Sequence, residues 1–324
     1  MTDELHSRRR IAALLGAGLA APGLVRPGLA RAAAGFSQLG DPAIVATVRS
    51  DAYESNRVLE TSVDPYRRMT APVTINGQGP FFFVVDTGAN QSVISQELAA
   101  TLALPSGGDI TLHGVAGAEA ASTAIAALVQ IGSRLEKDVM MPVLPQSAIG
   151  AAGILGIDRL RNQRLRLDFT HRRLTIETSH FEDTPPFTST VHARQRSGQL
   201  TIVDADLAGI PVSAFLDSGA QHTIGNPALH QLAVMRMPQG KFFEVPIVSV
   251  TGKTIPGELA LLPVLRMGNV RLVDIPVTFA DLHIFQIWGL EKPAVLVGMD
   301  AMSVFDSVTL DFGRAEVWFT LVPK

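Results

Sequence analysis

The polarity of this chain alternates in short, strand-length runs broken by turn residues. Val73-Thr74-Ile75 reads apolar, polar, apolar and runs into Asn76-Gly77, a pair that favours a tight hairpin turn. The apolar run Phe81-Phe82-Phe83-Val84-Val85 follows and ends abruptly in Asp86-Thr87-Gly88-Ala89. The same pattern recurs later. Val203 to Leu207 alternates, Ala208-Gly209 turns, and Val212-Ser213-Ala214-Phe215-Leu216 ends in Asp217-Ser218-Gly219-Ala220. Phe81 to Phe83 is expected to be strand core rather than a binding stripe.

The correspondence continues downstream in the same order. Ser95 is placed to cap a short helix over Glu97 to Leu102, and Asn226 to cap one that starts at Pro227. Val-x-Gly turns follow, at Val115 to Gly117 and at Val250 to Gly252. Next come Ile154-Leu155-Gly156 and Leu296-Val297-Gly298, then Leu167-Asp168-Phe169 and Leu310-Asp311-Phe312. A final strand is expected in each unit, over Arg173 to Glu177 and Glu316 to Leu321. The pattern predicts a mostly β unit that occurs twice, over 65–178 and 194–324. The polar, Pro-bearing stretch 179–193 serves as linker.

Composition narrows the function classes. A length of 324 residues suits about two domains. Hydrophobic residues make up 47% and charged residues 18%, which suits buried cores rather than disorder. With a net charge of −3 and no basic patch beyond the N-terminus, nothing points to a nucleic-acid partner. Cysteine is absent, so disulfides, thiolate metal sites and cysteine nucleophiles are excluded. The histidines have no metal-ligand spacing and no Gly-x-Ser-x-Gly elbow occurs, so no metal, no cofactor and no serine nucleophile of that kind is expected.

The N-terminus reads as an address. Ser7-Arg8-Arg9-Arg10-Ile11 precedes a mildly apolar stretch to Val25, and Ala30-Arg31-Ala32 offers a small-x-small cleavage site. The paired arginines resemble a bacterial twin-arginine export signal over 1–32, which points to the periplasm. Residues 33–64 form an extension. No later run reaches the ~20 apolar residues of a membrane span, so none is expected once the signal is removed.

The chemistry lies in the repeated aspartates. A carboxylate at the end of a buried apolar strand is costly unless it is bonded or functional. The following Gly permits a tight turn, and the Thr87 or Ser218 hydroxyl can bond across to the partner loop. Two such turns facing each other would bring two carboxyls within a few ångströms. Like charges so close cannot both ionise, so the pair would hold one proton and titrate as a unit. A water between them could then be deprotonated by one carboxylate while the other protonates a peptide carbonyl.

These motifs resemble the retropepsin-like aspartic peptidases: Asp86-Thr87-Gly88-Ala89-Asn90 with Ile154-Leu155-Gly156, and Asp217-Ser218-Gly219-Ala220-Gln221 with Leu296-Val297-Gly298. The resemblance implies an all-β fold of two homologous acid-protease β-barrel lobes with short helices and the active site between them. It implies an aspartic endopeptidase, a monomer carrying both lobes, whose partner is a peptide or protein substrate. Asp86 and Asp217 would be catalytic, and Thr87, Gly88, Ser218 and Gly219 would support the loops, with the two glycine carbonyls offered to substrate. Substrate would lie extended against Ala89, Asn90, Ala220 and Gln221, beneath flaps at Val115, Gly117, Val250 and Gly252. A non-catalytic or narrow-specificity peptide-binding protein of the same fold is the alternative. Ala89 and Ala220 stand where pepsin-like enzymes carry a hydroxyl that favours ionised carboxylates, so a pH optimum between weakly acidic and neutral is expected. Asp158 and Asp300 read as helix caps, Asp168 and Asp311 as turn residues, and His222 as a locally bonded side chain.

Overall fold

The computed structural model describes residues 68–321, apart from 116, 133, 182, 197–198, 203–204 and 250–252, together with the backbone of three short strands nearer the N-terminus. The first lobe comprises β1 (Thr70–Ile75), β2 (Gln78–Val85), β3 (Val93–Ser95), α1 (Gln96–Thr101), β4 (Ser106–Gly114), β5 (Gly117–Ile131), β6 (Arg134–Leu144), α2 (Gln146–Ile149), β7 (Gly153–Leu155), β8 (Gln163–Asp168) and β9 (Arg173–Thr178). Strand β10 (Thr188–Arg196) leads into the second lobe: β11 (Gln199–Ile202), β12 (Ala205–Leu207), β13 (Ile210–Pro211), β14 (Ser213–Leu216), β15 (Ile224–Gly225), α3 (Pro227–Arg236), β16 (Phe243–Ser249), β17 (Thr254–Met267), β18 (Val270–Phe279), α4 (His283–Ile287), β19 (Ala294–Val297), α5 (Met299–Met302), β20 (Ser307–Asp311) and β21 (Glu316–Thr320). From β1 onward the elements of the first lobe reappear in the same order in the second.

Local chemistry starts these elements. Asn76 and Gly77 both adopt positive φ (50° and 75°), as a two-residue hairpin between right-twisted strands requires. Ala208 and Gly209 do the same in the second lobe (53° and 80°). Ser95 Oγ accepts from Leu98 N (3.1 Å) at the start of α1, and Asn226 Oδ1 from Leu229 N (2.9 Å) at the start of α3. In β2, side chains alternate between faces, so Phe83 is buried while Phe82 is 51% exposed. The aromatic triplet is thus not core throughout, because the strand has two faces and only one meets the barrel interior.

In the first lobe β5-β1-β2-β7-β3-β6 closes on itself through the β5–β6 pairing. The second lobe follows the equivalent path, β11-β14-β19-β15-β18-β17-β12, and is nearly closed. Each barrel extends a long hairpin, β4–β5 in one and β16–β17 in the other. The last hairpins of the two lobes join in one antiparallel sheet, β9-β8-β20-β21-β10. In it Leu165 faces Leu310 and Leu167 faces Val308, so the equivalent strands β8 and β20 pair with each other. Arg164 crosses this seam, with Nε 3.2 Å from Asp311 Oδ2, and both side chains are buried. Asp311 also accepts from Gly313 N and Arg314 N, and Asp168 from His171 N, so both act as turn residues.

Of the N-terminal strands, Ala12–Leu14 runs parallel to β4, Ala17–Gly18 antiparallel to β16, and Ile44–Thr47 parallel to β18. The remainder of the export signal and extension read from the sequence lies outside the described residues. Among those residues no helix is long and apolar enough to cross a membrane.

Candidate active site

Each aspartate ends a strand that pairs in parallel with the apolar-apolar-Gly strand of its own lobe. Asp86 N donates to Leu155 O and Asp217 N to Val297 O, both at 3.0 Å. The chain then folds back over the carboxyl. Asp86 Oδ1 accepts from Gly88 N (2.8 Å) and Ala89 N (2.9 Å), and Asp217 Oδ1 from Gly219 N (2.9 Å) and Ala220 N (3.2 Å). Both aspartates are 1% exposed.

The two loops interlock across the lobes. Thr87 Oγ1 donates to Leu216 O (2.7 Å) and accepts from Ser218 N (3.0 Å). Ser218 Oγ donates to Val85 O (2.8 Å) and accepts from Thr87 N (3.1 Å). Each hydroxyl thus satisfies one donor and one acceptor of the opposite strand end. This contact brings Gly219 against Asp86 so closely that a Cβ on Gly219 would lie 2.2 Å from the carboxyl carbon. Only glycine fits there, and the fit brings Asp86 within reach of Asp217.

Burial raises the Asp86 carboxyl from its ordinary value to about 6, against the pull of the Gly88 N–H, Asp217, Arg68 and the Ala89 N–H. Asp217 is pushed well above the ordinary range, first by burial and then by the charge of Asp86. Above about pH 6 the pair carries one negative charge and one proton, because two charges cannot share so small a desolvated space.

A second set of contacts, which sequence reasoning missed, braces the loops from beneath. Ser92 Oγ accepts from Gly156 N (3.0 Å) and donates to Asp158 Oδ1 (2.7 Å), which also accepts from Ser92 N. Thr223 Oγ1 likewise accepts from Gly298 N (3.1 Å) and donates to Asp300 Oδ1 (2.7 Å). Asp158 and Asp300 therefore bond chiefly to the aspartate loops rather than standing as N-caps, though Asp300 Oδ1 also accepts from Ala301 N (2.7 Å). Gly156 and Gly298 occupy the N-cap positions, and the carboxylates sit within the first turn, where they reach back to the aspartate loops. The signal was present, since Ser92 and Thr223 stand at the same distance after their aspartates. Gly156 and Gly298 leave no room for a side chain: a Cβ would lie 2.7 Å from Ala89 O in one lobe and 2.6 Å from His222 O in the other.

The other expected site residues divide. Ala89 and Ala220 are buried, so their side chains pack inward. Asn90 and Gln221 are partly exposed beside the loops. Gly88 O, which the resemblance offers to substrate, accepts from Gln199 Nε2 (3.2 Å), as does Asn90 Oδ1 (3.0 Å). His222 Nδ1 lies 3.7 Å from Asp300 Oδ2. Val115, at the tip of the β4–β5 hairpin, is buried in the second lobe among Phe215, Ile247, Leu282, Phe285 and Trp288. His283 N donates to Val115 O (3.0 Å), and the His113 and His283 rings stack with their nitrogens 3.1 Å apart. Lys253 Nζ meets Glu119 Oε1 at 2.5 Å. The first hairpin is thus latched onto the second lobe, with Gly117 beginning its return strand at φ +131°. Val250 and Gly252 lie outside the described residues.

Two family models match in tandem. One, described as "gag-polyprotein putative aspartyl protease", covers residues 71–162, and the other, "Aspartyl protease", covers 203–301. Among solved structures the chain is similar to basic 7S globulin from soybean, at 9% identity over 78% of this chain and 96% of that one, with a TM-score of 0.40. A search of curated proteins gave no match.

Proposed function

We propose that this tandem of two retropepsin-like aspartyl protease domains is an aspartic endopeptidase that hydrolyses peptide bonds with a water activated between Asp86 and Asp217. One observation carries the reading: two buried carboxyls, one per lobe, face each other through interlocked Asp-Thr-Gly and Asp-Ser-Gly loops. The ionised member takes a proton from the water as its oxygen attacks the peptide carbonyl carbon. The protonated member gives its proton to the carbonyl oxygen, leaving a neutral tetrahedral diol. The proton taken from the water then passes to the amide nitrogen as the C–N bond breaks, and one diol hydroxyl returns its proton to the second carboxylate as the new carboxyl forms. No covalent enzyme intermediate forms. Burial keeps the attraction between carboxylate and water unscreened, which is where such a site draws its rate.

The raised Asp86 carboxyl, at about 6, supports activity from weakly acidic to neutral pH. The β4–β5 hairpin, which already bridges the lobes, supports a substrate bound extended with its backbone pairing against it. The resemblance of residues 1–32 to a twin-arginine signal supports export to a periplasm, where the substrates would be other exported proteins or peptides.

The test is cleavage of casein across pH 3–8 by the parent chain and by Asp86→Asn and Asp217→Asn, with and without pepstatin. Loss of cleavage in both variants is expected. Cleavage that survives either change would refute the shared pair. A parent that binds peptides without cutting them would move the reading to a peptide-binding or narrow-specificity protein.

A further inference from the structure

The two lobes are not equivalent where they meet the aspartates. In the first lobe β1 runs antiparallel to β2 with Thr70 opposite Val84, and Val85 N donates to Met69 O (2.9 Å). One step further, that register sets Arg68 opposite Asp86. In the second lobe Thr201 faces Phe215, and the same continuation sets Gln199 opposite Asp217. Arg68 and Gln199 also stand at the same distance before their aspartates in the sequence. Both are buried, at 5% and 2% exposure. The matched positions thus hold a buried cation in one lobe and a buried neutral amide in the other, and the amide side chain reaches across to the Asp86 loop.

We infer that Arg68 is a positioning residue that decides which aspartate carries the charge, holding Asp86 as the base and leaving Asp217 as the proton-bearing acid. The assignment rests on the endopeptidase reading for its catalytic meaning. A buried guanidinium is costly unless a negative charge lies near it, and Asp86 is the carboxyl its strand position provides. Arg68 Nη2 donates to Ile149 O (2.6 Å), which anchors the side chain to the first lobe. Gln199 instead donates to Gly88 O and Asn90 Oδ1 and brings no charge. The charged groups acting on Asp86 are Arg68, which favours its ionised form, and Asp217. The charge acting on Asp217 is that of Asp86, which disfavours its ionisation. In a pair that shares one proton, a cation on one side directs the proton to the other.

The test is a pH titration by carboxyl-13C NMR of the full chain labelled at aspartate, with resonances assigned from Asp86→Asn and Asp217→Asn. Arg68→Gln, which gives the first lobe the residue of the second, is expected to raise the lower of the pair's two apparent pKa values by about one pH unit. Arg68→Lys is expected to leave it near its original position. A folded Arg68→Gln protein whose lower value does not move, or an Arg68→Lys protein that shifts as far as the Gln variant, would overturn the inference. Gln199→Arg adds a second cation between the aspartate loops to an intact Arg68 background and is expected to lower the upper value. Failure of that shift in a folded protein would count equally against the inference, even if Arg68→Gln does not fold. Because the titration needs no turnover, an inert protein that titrates as expected would refute the peptidase while retaining the electrostatic asymmetry.

Discussion

Thr87→Val removes one hydroxyl while keeping the shape of the side chain. The lost Oγ1 donates to Leu216 O at 2.7 Å and accepts from Ser218 N at 3.0 Å, at a residue 1% exposed. Water cannot replace it, so one backbone carbonyl and one backbone N–H are left buried without those bonds. Each orphaned group costs about 1–3 kcal/mol, so a loss of about 3 kcal/mol is expected after partial relaxation. For a folded region of this size that corresponds to a melting temperature lower by roughly 6–12 °C. The natural control is Thr101→Val, where an exposed hydroxyl donates to Glu97 O within α1 and its loss should cost less than about 0.5 kcal/mol. Urea unfolding followed by far-UV circular dichroism measures the difference. Fluorescence adds lobe resolution, because both tryptophans, Trp288 and Trp318, belong to the second lobe. A Thr87→Val protein as stable as the Thr101→Val control would refute the claim that the reciprocal hydroxyl bonds hold the lobes together.

Gly219→Ala should leave the protein folded but reduce kcat/KM by about 100-fold, because the Cβ would strike the Asp86 carboxyl at 2.2–2.4 Å and move it by about 1 Å; unchanged casein cleavage would contradict this. Asp86→Asn should gain stability over the parent at pH 7, since a buried carboxyl raised to about 6 binds its proton more tightly folded than unfolded. The parent therefore loses stability as pH rises from about 4 to 6, and the gain in the variant should vanish below about pH 4 in melting experiments; a difference independent of pH would refute it. Arg164→Met leaves Asp311 buried without its guanidinium at the lobe seam and should cost about 3–5 kcal/mol by urea unfolding, with Arg164→Met/Asp311→Leu recovering much of the loss.

The sequence alone determined the duplication, the strand-and-turn order and the two aspartate loops. All of these are local or periodic: a run of alternating side chains, an Asn-Gly turn, a capping serine or asparagine, and a motif that repeats. It also held the matched positions Ser92 with Thr223 and Arg68 with Gln199, but nothing along the chain says what such a pair touches. Asp158 shows the limit. Read locally it is a helix cap, yet its carboxylate reaches Ser92, which is distant in sequence and adjacent only once β7 pairs beside β3. Val115 reads as a hairpin tip, and only packing reveals that it is buried in the opposite lobe. The tertiary structure likewise decided that β8 and β20 join one sheet, that Phe82 faces outward, and that the matched positions Arg68 and Gln199 are buried, with Gln199 reaching across to the Asp86 loop. Those outcomes depend on the register between strands far apart in the chain, and register follows from the burial of whole faces rather than from any one segment.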